Sequence, residues 1–288
     1  MRRGVVFAAA VVLLAWVLLP IPRASLLVAG KRSDPQPPAN MAVEDVVFNA
    51  TDDVELGAWL VRASLAAPAV VLVHGFKGSR QEMLPWARFH HDGGYNVLLI
   101  DTRGCGKSGG TTVGLGATEP RDISGAVSFA ETAFDTPRVA VLGISLGAGA
   151  VILAAAADRR IAALVADSAW TDQDLQLSRL SFVPIGGFRM PLLPYGAIAV
   201  SAMVGTDVTK ARPIDAIARV APRPVLLIHS ADDDNATTPV SGAHALFAAA
   251  GEPKELWIVP HGGHVGAINS FTEEYRSRVL AFFGNALK

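Results

Sequence analysis

The hydrophobic positions divide the chain into an apolar N-terminal segment and a longer region of short apolar runs. Gly4 to Pro22 carries no charged residue and reads GVVFAAAVVLLAWVLLPIP. As a helix, this stretch would extend about 28 Å, close to the thickness of the hydrocarbon core of a bilayer. The pattern therefore predicts an N-terminal hydrophobic helix within residues 1–30.

Two roles fit this hydrophobic segment. A retained single-pass anchor in the cell membrane is favoured, because Val28-Ala29-Gly30 is only a weak match to a small-residue cleavage site. The alternative is a signal peptide whose removal yields a secreted protein. Basic residues occur on both sides of the segment, so charge predicts no orientation. Residues 31–42 are polar and rich in proline, which predicts a linker.

From Val43 onward, strand-like and helix-like stretches alternate. Apolar runs rich in Val, Ile and Leu predict strands at Val43–Phe48, Val54–Val61, Ala69–Val73, Asn96–Ile100, Val139–Leu142, Ile161–Ala166, Val225–Ile228 and Glu255–Val259. Helix-length segments occupy Arg80–His91, Ala117–Ala133, Ser145–Ala157, Val240–Ala249 and Phe271–Leu287. Continuous apolar runs are typical of parallel strands buried on both faces. Residues 43–288 are therefore predicted to form an α/β fold with a doubly wound, mostly parallel sheet of about eight strands, opened by an antiparallel pair.

Residues 168–213 interrupt this alternation, since they are longer than a single crossover helix requires. The stretch combines aromatic and aliphatic residues with several prolines. One interpretation is a packed crossover whose apolar residues join the core. The other is a small cap inserted over a functional site.

Charge and cysteine content exclude two classes of protein. The chain has 25 basic and 26 acidic residues among 288, and no run of basic residues. A surface that follows nucleic-acid phosphates needs clustered Lys and Arg, so nucleic acid is not an expected partner. The one cysteine, Cys105, rules out an intramolecular disulfide framework.

The main chemical signal is Gly143-Ile-Ser145-Leu-Gly147, placed where a predicted strand ends and a predicted helix begins. A sharp strand-to-helix turn lifts a serine oxygen clear of the backbone, and bulky neighbours would clash there. The N-terminus of the following helix also favours negative charge. The context makes Ser145 a candidate nucleophile.

With this motif the chain resembles the α/β-hydrolase superfamily, from about Val43 to the C-terminus. The resemblance extends to His74-Gly75-Phe76 after the third strand, where the family places its oxyanion loop. It implies that the backbone N–H groups of Phe76 and Leu146 face the oxyanion. The side chain of His74 is expected to brace the loop and to take no part in the chemistry.

The same resemblance supplies an acid and a base. Pro260-His-Gly-Gly-His264 follows the last strand and implies His264 as the general base. The spacing from His229 points to Asp233 as the acid, with Asp232 and Asp234 as alternatives and Asp167 less favoured. The order serine, aspartate, histidine is the one found in this superfamily.

Three other patterns are weak. Gly104, Gly106 and Gly109 match G-x-G-x-x-G, but no helix follows promptly. Gly106-Lys107-Ser108 ends like a phosphate-binding loop, yet Asp101 stands where such a loop needs glycine. His261 and His264 lack a third ligand at zinc spacing. No cofactor and no metal are therefore predicted, and His90 and His91 are interpreted as surface residues of a helix.

The predicted activity is hydrolysis of carboxylic esters or thioesters through an acyl-enzyme on Ser145. The expected partners are a small-molecule ester or acyl substrate and, through the N-terminal segment, a membrane. A serine peptidase or amidase using the same triad is one alternative. The other is a non-catalytic module that uses the pocket only for binding.

Overall fold

A computed structural model of the chain describes residues 2–18, 20–64, 67–180, 182–191 and 196–288. The helices are α1 (Arg2–Leu18), α2 (Pro20–Val28), α3 (Leu84–Asp92), α4 (Glu119–Phe134), α5 (Leu146–Ala157), α6 (Gln173–Leu180), α7 (Gly196–Val204), α8 (Pro213–Ala216), α9 (Val240–Ala249), α10 (Ala267–Ser270) and α11 (Thr272–Ala286). The strands are β1 (Lys31–Arg32), β2 (Glu44–Asn49), β3 (Glu55–Val61), β4 (Ala69–Val73), β5 (Asn96–Ile100), β6 (Cys105–Gly106), β7 (Val139–Ile144), β8 (Ile161–Asp167), β9 (Phe182–Ile185), β10 (Phe188–Pro191), β11 (Val225–Ser230) and β12 (Lys254–Val259).

The centre of the fold is an eight-stranded sheet in the order β12-β11-β8-β7-β4-β5-β3-β2. Neighbouring strands from β12 to β5 pair in parallel, whereas β3 pairs antiparallel with both β5 and β2. This topology confirms the predicted doubly wound, mostly parallel sheet and its opening antiparallel pair. The carboxyl ends of the parallel strands meet at one edge, which is where such folds place their sites.

Helices cover both faces of this sheet, which explains the continuous apolar runs of the strands. In β4, Val71 and Val73 pack with residues of α4 and α5, whereas Val70 and Leu72 pack with residues of α3 and α11. All four side chains are fully buried. Because successive residues point to opposite faces, a strand covered on both sides needs apolar residues at every position.

Most predicted elements are confirmed with small differences at their ends. β7 continues to Ile144 and β11 continues to Ser230, so both strands end nearer to the candidate site than predicted. The predicted helix Arg80–His91 is divided into a 3-10 turn at Arg80–Met83 and helix α3.

The interpretation of His90 as a surface residue is wrong. Its side chain, on α3, is fully buried and has ring contacts to Phe89, Tyr95 and Phe283. Nδ1 donates to the backbone oxygen of Trp86 over 2.8 Å. Burial disfavours the charged form and lowers the pKa of His90 to about 4. His91, by contrast, is partly exposed.

The N-terminal segment forms α1 and α2. The segment Arg3–Val28, whose most apolar 18-residue window has a mean hydropathy of 2.7, is long and apolar enough to cross a membrane. Its length and composition fit either a membrane anchor or a signal peptide. The large apolar side chains of α1 are exposed, for example Phe7 at 72%. β1 then pairs in parallel with β6, so the segment 31–42 begins with a contact to the main fold.

The stretch 168–213 contains α6, the hairpin of β9 and β10, and α7. Residues 181 and 192–195 of this predicted cap lie outside the described residues. Its first part lies close to the carboxyl edge of the sheet, since Ser168 directly follows β8 and Trp170 donates a hydrogen bond to the backbone oxygen of Leu146 over 3.1 Å.

Candidate active site

Ser145 lies in the turn between β7 and α5, in a backbone conformation that few residues with a side chain adopt. Its φ is 53° and its ψ is −116°. The Ser145 N–H donates to the backbone oxygen of Asp167 over 2.9 Å, which ties the turn to the end of β8. Strained backbone of this kind persists only where the surrounding structure fixes it. The hydroxyl is thereby presented at the carboxyl edge of the sheet.

Two glycines allow this turn to form. A Cβ at Gly147 would lie 2.5 Å from the backbone oxygen of His74 and 2.6 Å from that of Val73. A Cβ at Gly143 would lie 2.4 Å from the backbone oxygen of Gly147. All three distances are far below van der Waals contact, so larger residues would push α5 away from β4 or β7.

The loop after β4 passes directly beside Ser145. His74 is 2% exposed and links the loop to β5, because its Nδ1 donates to the Gly75 oxygen over 2.7 Å and its Nε2 accepts from the Thr102 N–H over 3.1 Å. The side chain therefore braces the loop, as expected from the sequence.

Phe76 and Leu146 line the same cavity as Ser145. The Leu146 N–H lies in the first turn of α5, where amides have no acceptor within the helix. Phe76 is 44% exposed at the cavity. The positions of these two residues agree with the expected oxyanion loop, and their role as donors remains a prediction.

His264 lies between the other two predicted site residues. Its Nε2 is 2.8 Å from Ser145 Oγ and its Nδ1 is 2.9 Å from Asp233 Oδ2. A carboxylate only accepts hydrogen bonds, so Nδ1 carries the proton and Nε2 is left to accept one from Ser145. The structure thus brings Ser145, His264 and Asp233 into one continuous hydrogen-bonded chain.

The carboxylate of Asp233 is fully buried and accepts from several donors. Besides His264, they include His229 Nε2 at 3.1 Å and the Asn235 N–H at 2.9 Å. Burial alone would raise the pKa of Asp233, but the hydrogen bonds from His229 and His264 outweigh it and hold that pKa well below its usual range. Asp233 is therefore charged at neutral pH.

The three other aspartates considered as the acid occupy different places. Asp232 accepts from the N–H groups of Gly263 and Gly262 over 2.8 and 3.3 Å, which fastens the loop that carries His264. Asp234 is exposed. Asp167 is buried below the site. Of the four aspartates, Asp233 is the one that contacts His264.

A buried network below the site was missed by the sequence reasoning. Asp167 accepts from Ser168 Oγ and from Tyr275 Oη, each over 2.9 Å, and Tyr275 in turn accepts from Trp86 Nε1. Ser168 Oγ also accepts from the Val265 N–H over 3.1 Å, next to His264. Burial raises the pKa of Asp167 to about 6, although the hydrogen bonds from Tyr275 and Ser168 oppose the rise.

His229 is a second residue with an unforeseen position. From the sequence, the position of His229 was used only to locate Asp233. In the structure its ring is fully buried against the Asp233 carboxylate. Nε2 also lies 2.9 Å from the backbone oxygen of Thr238, so this nitrogen carries the proton. The signal that could have indicated a buried histidine is its position directly after the apolar run Val225–Ile228. The burial of the ring itself depends on residues that are distant in sequence.

A cavity of about 270 Å³ opens beside Ser145. Its lining is mostly apolar, with a few amide and hydroxyl side chains: Leu27, Phe76, Leu115, Leu146, Trp170, Gln173, Gln176, Asn235, Thr237 and Thr238. A larger cavity of about 370 Å³ lies between α3, α10 and α11, away from Ser145, His264 and Asp233. Of these two cavities, the smaller one is therefore the one that is lined by the candidate nucleophile Ser145.

Known proteins resemble the chain in both sequence and structure. A family model described as serine aminopeptidase, S33, matches residues 66–195. An uncharacterised protein of Mycobacterium tuberculosis is 32% identical over 225 residues, which cover 77% of this chain and 73% of that protein. A polyketide transferase of Stachybotrys chlorohalonatus is 28% identical, over 87% of this chain and 99% of that protein.

Among solved structures, an esterase of Pyrococcus furiosus superposes with a TM-score of 0.74 at 24% identity, over 91% of this chain and all of the esterase. An α/β-hydrolase from a Penicillium species superposes with a TM-score of 0.68 at 23% identity, over 86% of this chain and 99% of that chain. The chain belongs to the α/β-hydrolase superfamily. At these identities the structural likeness establishes the fold, and the fold alone assigns no substrate.

The glycine-rich loop after β5 of this α/β-hydrolase is held by a carboxylate of the chain itself. The Asp101 carboxylate accepts from the N–H groups of Lys107 and Arg80 over 2.9 and 2.6 Å. Within the described ranges, no group of three or more His, Cys, Asp or Glu side chains could hold a metal ion.

Proposed function

We propose that this α/β-hydrolase cleaves carboxylic esters through an acyl-enzyme on Ser145. The observation that carries the proposal is the hydrogen-bonded chain from Ser145 Oγ through His264 to Asp233, next to a cavity with a mostly apolar lining. The same arrangement of nucleophile, base and orienting carboxylate supports acyl transfer in unrelated folds.

The reaction proceeds in two halves. His264 Nε2 takes the proton of Ser145 as Oγ attacks the carbonyl carbon, and the resulting oxyanion accepts from the N–H groups of Phe76 and Leu146. His264 then protonates the leaving alcohol, and the acyl group stays on Ser145. Water, deprotonated by His264, attacks the acyl-enzyme and releases the acid.

The residues around Ser145 lower the barrier to acyl transfer. Each oxyanion donor contributes about 3–4 kcal/mol to lowering the barrier in other enzymes. The Asp233 carboxylate holds His264 in the tautomer with a proton on Nδ1 and stabilises the imidazolium. Asp232 and Ser168 fix the loop of His264 on either side of it, which keeps the imidazole in place.

The lining of the cavity favours an uncharged acyl group. An aminopeptidase needs a carboxylate to receive the free α-amino group of its substrate, and no Asp or Glu lies among the described residues that line this cavity. The apolar lining suits an aliphatic acyl chain instead. Thioesters would react through the same groups, so they belong to the proposed substrate class.

The proposed organisation follows the sequence. Residues 1–30 form a single-pass membrane anchor, 31–42 a linker, and 43–288 the hydrolase domain with a small cap at 168–213. This organisation is supported by the apolar segment Arg3–Val28, which is long enough to span a membrane, and by the residues of the cap, such as Trp170 and Gln173, that line the cavity.

Hydrolysis of p-nitrophenyl esters from acetate to palmitate by the full chain tests the proposal. Ser145→Ala should lower kcat by a factor on the order of 10⁴–10⁶, as in other serine hydrolases. A parallel series of p-nitroanilides tests the amidase alternative. If Ser145→Ala retained the activity of the unaltered protein, the proposal would be wrong.

A further inference from the structure

The second N-terminal helix, α2, is packed into the main fold, whereas α1 is not. Ala24 and Val28 of α2 are only 3% and 2% exposed. They form an apolar cluster with Leu115, with Val200 of α7 and with Val208. A disposable leader has no reason to bury its side chains in the protein that it leaves.

Hydrogen bonds fix the end of α2 to the loop around residue 112. The Val113 N–H donates to the Val28 oxygen over 2.7 Å, and the Gly30 N–H donates to the Thr111 oxygen over 2.8 Å. A Cβ at Gly30 would lie 2.3 Å from the Gly104 oxygen, so the chain passes this loop at close range. On the other side of α2, Lys77 Nζ donates to the Leu26 oxygen over 2.7 Å.

One side chain of α2 reaches the candidate active site. Leu27 lines the cavity together with Ser145, Leu146 and Trp170. The N-terminal segment therefore contributes directly to the surface on which a substrate would lie.

Other apolar residues of α2, of α7 and of the loop after β4 are exposed. Leu26 and Ile21 of α2 are 72% and 52% exposed, Ile198 of α7 is 68% exposed, and Phe76 at the cavity is 44% exposed. Exposed apolar surface of this extent, next to a helix long enough to span a bilayer, indicates contact with lipid.

Leu27 lies only a few residues beyond the uncharged stretch of the N-terminal segment. The uncharged stretch ends at Pro22, and Arg23 follows it. From Arg23 to Leu27 an α-helix rises about 6 Å. The headgroup region extends about 5–7 Å beyond the hydrocarbon core on each side. If the uncharged stretch spans the core, Leu27 and the cavity lie within that region.

We propose that α2 is a wall of the acyl site, and that the substrate is an ester whose aliphatic acyl chain is delivered to Ser145 from the adjacent membrane. This inference rests on the proposed function, because it names the substrate class of the same site. The cavity is below the range of about 300–1,000 Å³ that is usual for small-molecule sites. Its mostly apolar lining suits the part of an acyl chain next to the carbonyl carbon, and the remainder of the lipid lies over the exposed apolar residues.

The test uses the full chain reconstituted in phosphatidylcholine vesicles. The probes are p-nitrophenyl palmitate held in the vesicles and water-soluble p-nitrophenyl acetate. We expect the unaltered protein to favour palmitate. Leu27→Glu should lower the palmitate-to-acetate ratio of kcat/KM by about tenfold or more, since a charge replaces an apolar wall. Leu27→Trp, which narrows the cavity without a charge, should move the preferred ester towards shorter chains.

Ser25→Glu is the matched control, because Ser25 is an exposed residue of the same helix that does not line the cavity. It should leave the ratio unchanged. Equal ratios in the unaltered protein, Leu27→Glu and Leu27→Trp would overturn the inference, as would a preference of the unaltered protein for acetate. An intact mass that lacks residues up to Val28 in membrane-extracted protein would also overturn it. Ester hydrolysis that survives Ser145→Ala would instead refute the proposed function.

Discussion

The two sides of the cavity at Ser145 are built in different ways. On one side, the loops after β7, β8, β11 and β12 hold Ser145, Asp233 and His264 through partly buried hydrogen bonds. On the other side, Leu27 of α2 and Leu115 present apolar surface, and α2 is held by apolar packing together with a few hydrogen bonds to its backbone. Hydrogen bonds fix direction and proton positions, whereas apolar contacts fix shape. The first side suits chemistry, and the second suits selection of an acyl chain.

The two sides of the cavity also differ in the parts of the chain that form them. The polar side is assembled from strand ends that the parallel sheet brings to one edge. The apolar side joins the N-terminal helix α2 to α7. Substitutions on the two sides should therefore affect different properties of the protein. Three substitutions distinguish the polar side from the apolar side.

The largest effect is expected for Asp233→Asn on the polar side. The amide cannot hold His264 with its proton on Nδ1, and the corresponding change in another triad lowers kcat about 10⁴-fold. Asp234→Asn, at the exposed neighbouring position, is the control and should change kcat less than twofold. Steady-state hydrolysis of p-nitrophenyl butyrate measures both. Similar losses in the two variants would mean that Asp233 is not the acid.

The next effect concerns Asp167, in the network below the polar side. Its pKa is raised from 3.8 to about 6, so the folded state binds a proton between these values that the unfolded state has released. This contribution to stability is complete below about pH 4 and is lost as the pH rises through 6. The loss amounts to about 3 kcal/mol.

Asparagine cannot titrate, so Asp167→Asn should remove that pH dependence. Relative to the unaltered protein, the free energy of unfolding of Asp167→Asn should rise by about 3 kcal/mol between pH 4 and pH 7. Urea unfolding at several pH values measures the difference. A difference that stays constant over this range would contradict the raised pKa.

The smallest effect is expected for Val28→Ala on the apolar side. The substitution removes two buried methyl groups, at a cost of about 2 kcal/mol. Because α2 is held by one small apolar cluster and a few hydrogen bonds, we expect local opening and not unfolding of the sheet. Hydrogen exchange of the Val113 and Gly30 amides should accelerate about 10- to 30-fold.

The exposed residue Val47 provides the comparison for Val28, since it is 60% exposed on β2. Val47→Ala should leave exchange at Val113 and Gly30 unchanged. If Val28→Ala accelerated exchange in β4 and β7 as strongly as at Val113, α2 would be part of the main cooperative unit and the two sides would not be separable.

Much of the polar side could be predicted from the sequence, because its signals are local. Ser145 stands between two glycines at a strand end, and His264 follows a strand in a glycine-rich loop. The choice among the aspartates was harder, since it depends on how the turn after β11 directs Asp233 and not Asp232 towards His264.

The apolar side and the buried polar groups could not be predicted in the same way. Hydrophobicity alone gave residues 1–30 the length of an anchor, but the packing of α2 depends on α7, far away in sequence. His90 likewise resembles a surface residue until Tyr95 and Phe283 enclose it. Burial of this kind arises from tertiary contacts that no local pattern contains.

Covalent labelling with a fluorophosphonate tests the central claim most directly, because the reagent phosphonylates an activated serine and needs no knowledge of the natural substrate. Peptide mapping of the labelled full chain should place the adduct on Ser145, and His264→Ala should slow labelling on the order of 10³-fold or more. A protein that acquires no label, or acquires it at another serine with Ser145 unmodified, would contradict the account.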